Sequence, residues 1–111
     1  MQKGLIQRGW WAKDIEFISV TTDPARDTPT ALNKYARKYR VDSAGWHFLT
    51  GDPQVVARVH KLYGIEIRPR GNGLQDHHLP TFVIDRNGIV LGAYGVNPNP
   101  QDVLSDLEKL R

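Results

Sequence analysis

Cysteine is absent from all 111 residues. That excludes a disulfide framework, a zinc finger, a thiol nucleophile and any thiolate metal ligand supplied by this polypeptide. Runs of like charge are missing as well: fifteen Lys and Arg residues are scattered among twelve acids, for a net charge of +3. No basic segment is interleaved with stacking aromatics, which argues against nucleic acid or an acidic membrane as a partner. No apolar stretch approaches the roughly 20 residues that cross a bilayer, and nothing after Met1 resembles a signal peptide. A chain with neither signal nor anchor would stay in the cytosol. Internal repeats and low-complexity tracts are also lacking.

The remaining composition, 40% hydrophobic and 24% charged, fits one small globular domain spanning 1–111. Met1 to Arg8 is weakly helical. The segment "IEFISVT", Ile15 to Thr21, has the length and β-branched content of a strand, and Ile15, Phe17, Ile18 and Val20 suggest an interior parallel strand buried on both faces. In "TDPARDTP" either Asp27 or Thr28 suits a helix cap ahead of Pro29. The helix it opens runs to about Arg40 on a stripe of Leu32, Tyr35, Ala36 and Tyr39.

A second short strand, Trp46 to Thr50, precedes "DPQVVARVHKLYG". There Asp52 caps, Pro53 opens the helix and Gly64 stops it, with Val55, Val56, Val59, Leu62 and Tyr63 forming the apolar face. Arg68 to Gln75, rich in glycine and proline, reads as a mobile excursion. "PTFVID" and "IVLGAYG" are two strands joined through Arg86-Asn87-Gly88. A last helix turns Val103, Leu104, Leu107 and Leu110 inward. The order α-β-α-β-α-β-β-α defines an α/β fold, a mixed sheet flanked by helices.

The stretch "QDHHLPTFVID", Gln75 to Asp85, sets two imidazoles before a proline and a strand. Taken alone, paired histidines in a glycine-rich loop are more often solvated surface than ligands. His47 alternates within a short strand and His60 lies on a helix whose face is mostly polar, so both read as structural. Asp23, Arg26 and Asp27 form a carboxylate–arginine group. Its structural reading, with Asp27 as cap and Arg26 paired to Asp23, outweighs a catalytic one. Of Trp10 and Trp11, one is expected in the core and the other half-buried.

"FISVTTDPARDTP" (Phe17 to Pro29), "WHFLTGDPQVV" (Trp46 to Val56) and "DHHLPTFVIDRNGIVLGAYG" (Asp76 to Gly95) together resemble the Sco/SenC proteins. These are thioredoxin-like factors of copper delivery to cytochrome c oxidase, and the likeness covers nearly the whole chain in order. It implies a copper site made by two thiolates of a CxxxC motif and one distant histidine. His77 falls at the position of that histidine, and His78 where a small polar residue is usual. Pro80 matches the spacing of the cis-proline of thioredoxins, and cis and trans both remain open there. The implied partners are the copper-site subunit of the oxidase or its assembly factors, and the implied location is the periplasmic side of the inner membrane.

Soft thiolates select Cu(I), and a lone imidazole does not hold it against cellular competitors. Disulfide exchange likewise needs a thiolate. Two readings follow. In the first the chain is a single incomplete thioredoxin-like domain, cut before the strand that carries CxxxC, with His77 as its one metal ligand. It is no enzyme and is inactive alone. In the second it is a cysteine-free thioredoxin-like module that binds a protein partner without copper.

Overall fold

The computed structural model describes residues 1–65, 68–71, 74–76, 80–95 and 98–110. Along the chain these form α1 (Gln2–Gln7), β1 (Phe17–Val20), α2 (Pro29–Lys38), β2 (Trp46–Leu49) and α3 (Pro53–Leu62), then β3 (Arg68–Gly71), β4 (Leu74–Asp76), β5 (Thr81–Ile84), β6 (Val90–Tyr94) and α4 (Pro100–Leu110). Two compact units emerge, one of residues 2–64 and one of residues 65–111 together with Met1.

In the first unit the helix starts follow from their caps. Thr28 Oγ1 accepts from the amide of Ala31 at 3.2 Å, ahead of Pro29. A β-region residue with a side-chain oxygen satisfies an N–H that the first turn leaves unpaired. Thr28 therefore takes the cap, and Asp27 does not. Asp52 Oδ1 accepts from Gln54 N at 2.8 Å and caps α3, as expected. Gly64 follows that helix at φ +69°, a left-handed conformation that costs glycine little.

β1 pairs with β2 in parallel, from Phe17↔Trp46 to Val20↔Leu49. Alternation along each strand then separates two faces. Phe17, Ser19, Trp46 and Phe48 are half-buried, whereas Ile18, Val20, His47 and Leu49 are exposed. The expected burial of β1 on both faces is thus corrected to one. Its apolar residues are suited to burial, but among the described residues β1 has a ladder partner on one side only.

The covered face is aromatic. Trp11 meets Phe17 edge-on at 4.9 Å between ring centroids, Phe17 meets Trp46 at 5.2 Å, and Trp46 stacks on Phe48 at 5.6 Å. Tyr35 of α2 closes the row against Phe48 at 5.8 Å. Trp46 also places its indole N–H on Ser19 Oγ at 2.9 Å, so this indole packs without burying an unpaired donor. Leu5 of α1 is fully buried and Trp10 nearly so, with Trp11 half-buried as expected. In α3 the buried line is narrower than its apolar sequence implied. Val56 and His60 are buried, while Val55 and Leu62 lie open to solvent.

In the second unit Arg68–Gly71 and Leu74–Asp76, expected within a mobile excursion, form two strands. β3 and β4 pair antiparallel, Arg68 opposite Asp76, with an irregularity between Pro69 and Gly71. Proline and glycine are tolerated where a ladder is short and bulged. β5 and β6 form the expected hairpin, from Thr81↔Tyr94 to Ile84↔Val90. Its turn is organised by Asp85, whose Oδ1 accepts from Asn87 N at 2.8 Å and from Ile89 N at 3.0 Å. Gly88 donates to Asp85 O at 3.1 Å and sits at φ +80°. This is a type I turn followed by a left-handed glycine, at the expected residues Arg86-Asn87-Gly88. Val103 and Leu104 of α4 are buried, Leu107 is half-buried, and Leu110, expected inside, is exposed.

Candidate metal centre

His77, the expected copper ligand, lies outside the described residues, as do His78 and the Leu79–Pro80 bond. In sequence His77 directly follows β4, which ends at Asp76, and comes four residues before β5 begins at Thr81. Among the described residues no three His, Asp or Glu side chains gather into a group able to hold a metal. The donor set of the whole sequence also fails the chemistry of Cu(I), because it offers imidazoles and carboxylates and no sulfur thiolate.

What the structure does build is an ordered loop after β1, held by Thr21. The amide of Thr21 donates to Leu49 O at 3.0 Å and so continues the β1–β2 ladder by one residue. The hydroxyl accepts from Asp23 N at 2.9 Å and donates to Asp27 Oδ2 at 2.5 Å. A hydroxyl on an ionised acceptor makes a short, strong bond. Within the loop the amides of Arg26 and Asp27 both reach Asp23 O, at 3.1 and 2.9 Å. The expected Arg26–Asp23 ion pair is present at 3.5 Å. It is exposed and stiffens the loop by at most about 1 kcal/mol.

His60 completes the arrangement. Its Nε2 stands 2.8 Å from Thr21 O, and both residues are buried. The ring donates there, since a carbonyl only accepts. The reading of His60 as structural holds, but its polar surroundings do not: it belongs to the buried line of α3, four residues after Val56. That i, i+4 spacing was the available signal. Thr21 itself went unnoticed because a threonine at a strand end carries no distinctive pattern until its partners are placed. His47 is exposed, 3.5 Å from Glu16 Oε1.

In the second unit the phenol of Tyr94 donates to Asp106 Oδ2 at 2.6 Å, joining β6 to α4. Tyr94 titrates above the ordinary value for a phenol. The bond to Asp106 is the main cause, with burial and the negative charges of Asp106 and Asp102 adding to it. Val83, Leu91, Ala93, Asp106 and Lys109 line an open hollow of about 350 Å³ beside it. With its carboxylate and phenol already bonded to each other, the hollow has no free ligand set. No helix among the described residues is long and apolar enough to cross a membrane.

Comparison with known proteins places these features. The chain is 31% identical over 100 residues to a SCO1 protein homolog of Bacillus subtilis, an alignment covering 86% of this chain and 52% of that protein. It therefore spans about half the length of that relative. A SCO1/SenC family lipoprotein from Bacillus anthracis superposes with a TM-score of 0.82 at 26% identity, over 98% of this chain and 66% of the other. Bradyrhizobium japonicum ScoI, solved with copper bound, superposes with a TM-score of 0.67 at 26% identity, over 83% of this chain and 59% of its own. The thioredoxin-like α/β fold expected from the sequence is the fold of these neighbours. A description of the SCO1/SenC family matches residues 1–111, and the chain belongs to that family.

Proposed function

We propose that this chain is the imidazole-bearing part of a Sco-type copper chaperone, with copper as cargo and His77 as its one ligand. The observation that carries the reading is the pairing of a whole-chain SCO1/SenC match with a sequence that has no cysteine. Tight Cu(I) binding of the Sco kind needs soft sulfur donors, so the thiolates come from outside these 111 residues. The copper-bound Bradyrhizobium relative supports copper as the ion. The chain performs no catalysis and is inactive alone. Its partners are the copper-site subunit of cytochrome c oxidase or the factors that assemble it. The periplasmic side of the inner membrane is the corresponding location, and the Bacillus anthracis neighbour is a lipoprotein.

The test is a Cu(I) competition titration against a chromophoric chelator, with the chain alone, a Cys-x-x-x-Cys peptide alone, and the two together. The chain alone is expected to lose copper to the chelator, and the mixture to retain more than the peptide does. Substitution His77→Ala should erase that gain. Retention by the chain alone, or a mixture no better than the peptide, overturns the reading.

A second reading, a protein-binding module without copper, draws on the exposed apolar face of β1 and β2, where Ile18 is 63% and Leu49 49% exposed. It predicts that in the same titration the mixture retains no more copper than the peptide does, with or without His77→Ala.

A further inference from the structure

The outer side of α2 carries a stripe of positive charge that copper handling does not use. Between Asp27 and Asp42 the sequence has no acid and four cations, Lys34, Arg37, Lys38 and Arg40. Lys34, Arg37 and Lys38 stand at i, i+3 and i+4, which puts them on one face of the helix. The half-buried Leu32 and Ala36 lie on the opposite face by the same periodicity. All four cations are exposed, and among the described residues none is paired with a carboxylate. Helix surfaces are usually laced with both signs, so a one-signed turn leaves its repulsion uncompensated until an anionic surface approaches.

By the same periodicity Tyr35 and Tyr39 belong to the Leu32 side, where each is still about half exposed, and the ammonium of Lys38 lies 5.4 Å from the Tyr39 ring. The three helical cations lie within two turns on the exposed side of one helix. It suits a flat, diffuse anion better than a shaped acidic protein pocket. With Lys34 to Lys38 spanning only about 6 Å of helix, it is too short to follow a nucleic-acid backbone.

We propose that the Lys34–Arg37–Lys38 face of α2, with Arg40 just beyond the end of the helix, docks reversibly on an anionic lipid surface. Each cation brought to such a surface strengthens binding about fivefold, and salt weakens it as the screening length falls from about 10 Å at 0.1 M to about 3 Å at 1 M.

The experiment is cosedimentation of the 111-residue chain with vesicles of phosphatidylcholine alone, or with about a third phosphatidylglycerol. It is run at low and high salt, with duplex DNA and polyglutamate as alternative ligands. The expected result is salt-sensitive binding to the anionic vesicles only. The triple variant Lys34→Glu, Arg37→Glu, Lys38→Glu should bind at least tenfold more weakly. An equal reversal at the exposed Lys13, Arg58 and Arg86 should stay within about threefold of the parent. Should the first variant melt differently from the parent, the triple glutamine replacement at the same positions takes its place. Absence of vesicle binding, binding indifferent to salt, equal loss in both variants, or capture by DNA or polyglutamate but not by vesicles overturns the proposal.

Discussion

His60 Nε2 stands 2.8 Å from the carbonyl oxygen of Thr21, so a buried side chain of α3 holds the backbone at the point where β1 becomes the TTDPARD loop. Substitution His60→Ala leaves that carbonyl without its donor and opens space behind it. A buried polar group stripped of its partner costs about 1–3 kcal/mol. Urea unfolding should show a fall of about 2 kcal/mol, and an unchanged midpoint would mean that the bond contributes nothing.

Thr21→Val keeps the volume and removes the hydroxyl that links Asp23 N to the Asp27 carboxylate. The expected loss is again about 1–3 kcal/mol. Because both variants dismantle one network, the double variant with His60→Ala should fall short of the sum by about 0.5 kcal/mol or more. Strict additivity would separate the hydroxyl from the imidazole.

Gly45 sits against the Trp11 ring. A Cβ added there would stand 2.6 Å from the ring carbon Cε2, closer than packed atoms approach. Gly45→Ala should cost about 1–3 kcal/mol. The near-ultraviolet circular dichroism of the Trp11–Phe17 edge contact should change with it. A stable variant with an unaltered aromatic spectrum would show that the ring is free to move aside.

Tyr94 has a folded-state pKa above the ordinary phenol value, with the hydrogen bond to Asp106 as the leading cause. The fold thus favours the protonated phenol. Its contribution is complete below about pH 10, the unfolded value, and fades as pH rises from there through the folded value. Spectrophotometric titration of Asp106→Asn should show this phenol titrating lower than in the parent. Stability near neutral pH should not depend on the ionisation of Tyr94.

The sequence revealed most of what is local in this fold. Asp52 and Pro53 mark the start of α3, and Asn87-Gly88 marks the β5–β6 hairpin, because a cap or a turn is decided within four residues. What needs a distant partner was not legible. The apolar residues of β1 gave the capacity for burial on two faces, yet only the Phe17 and Ser19 side is covered. His60 carried a spacing signal but its acceptor lies 39 residues away. β3 and β4 were hidden because Pro69 and Gly71 are the residues that usually interrupt strands, and a short irregular ladder accommodates them. As for the site, only the resemblance points to His77, since an imidazole pair ahead of a proline has no chemistry peculiar to copper.

X-ray absorption at the copper edge, on the Cu(I) complex of this chain with a Cys-x-x-x-Cys peptide, addresses the claim that His77 is the imidazole ligand to the cargo. Two sulfur scatterers and one imidazole are expected, with the imidazole signature gone in His77→Ala. An all-sulfur shell in the parent complex, or an imidazole that persists in the variant, would remove His77 from the site.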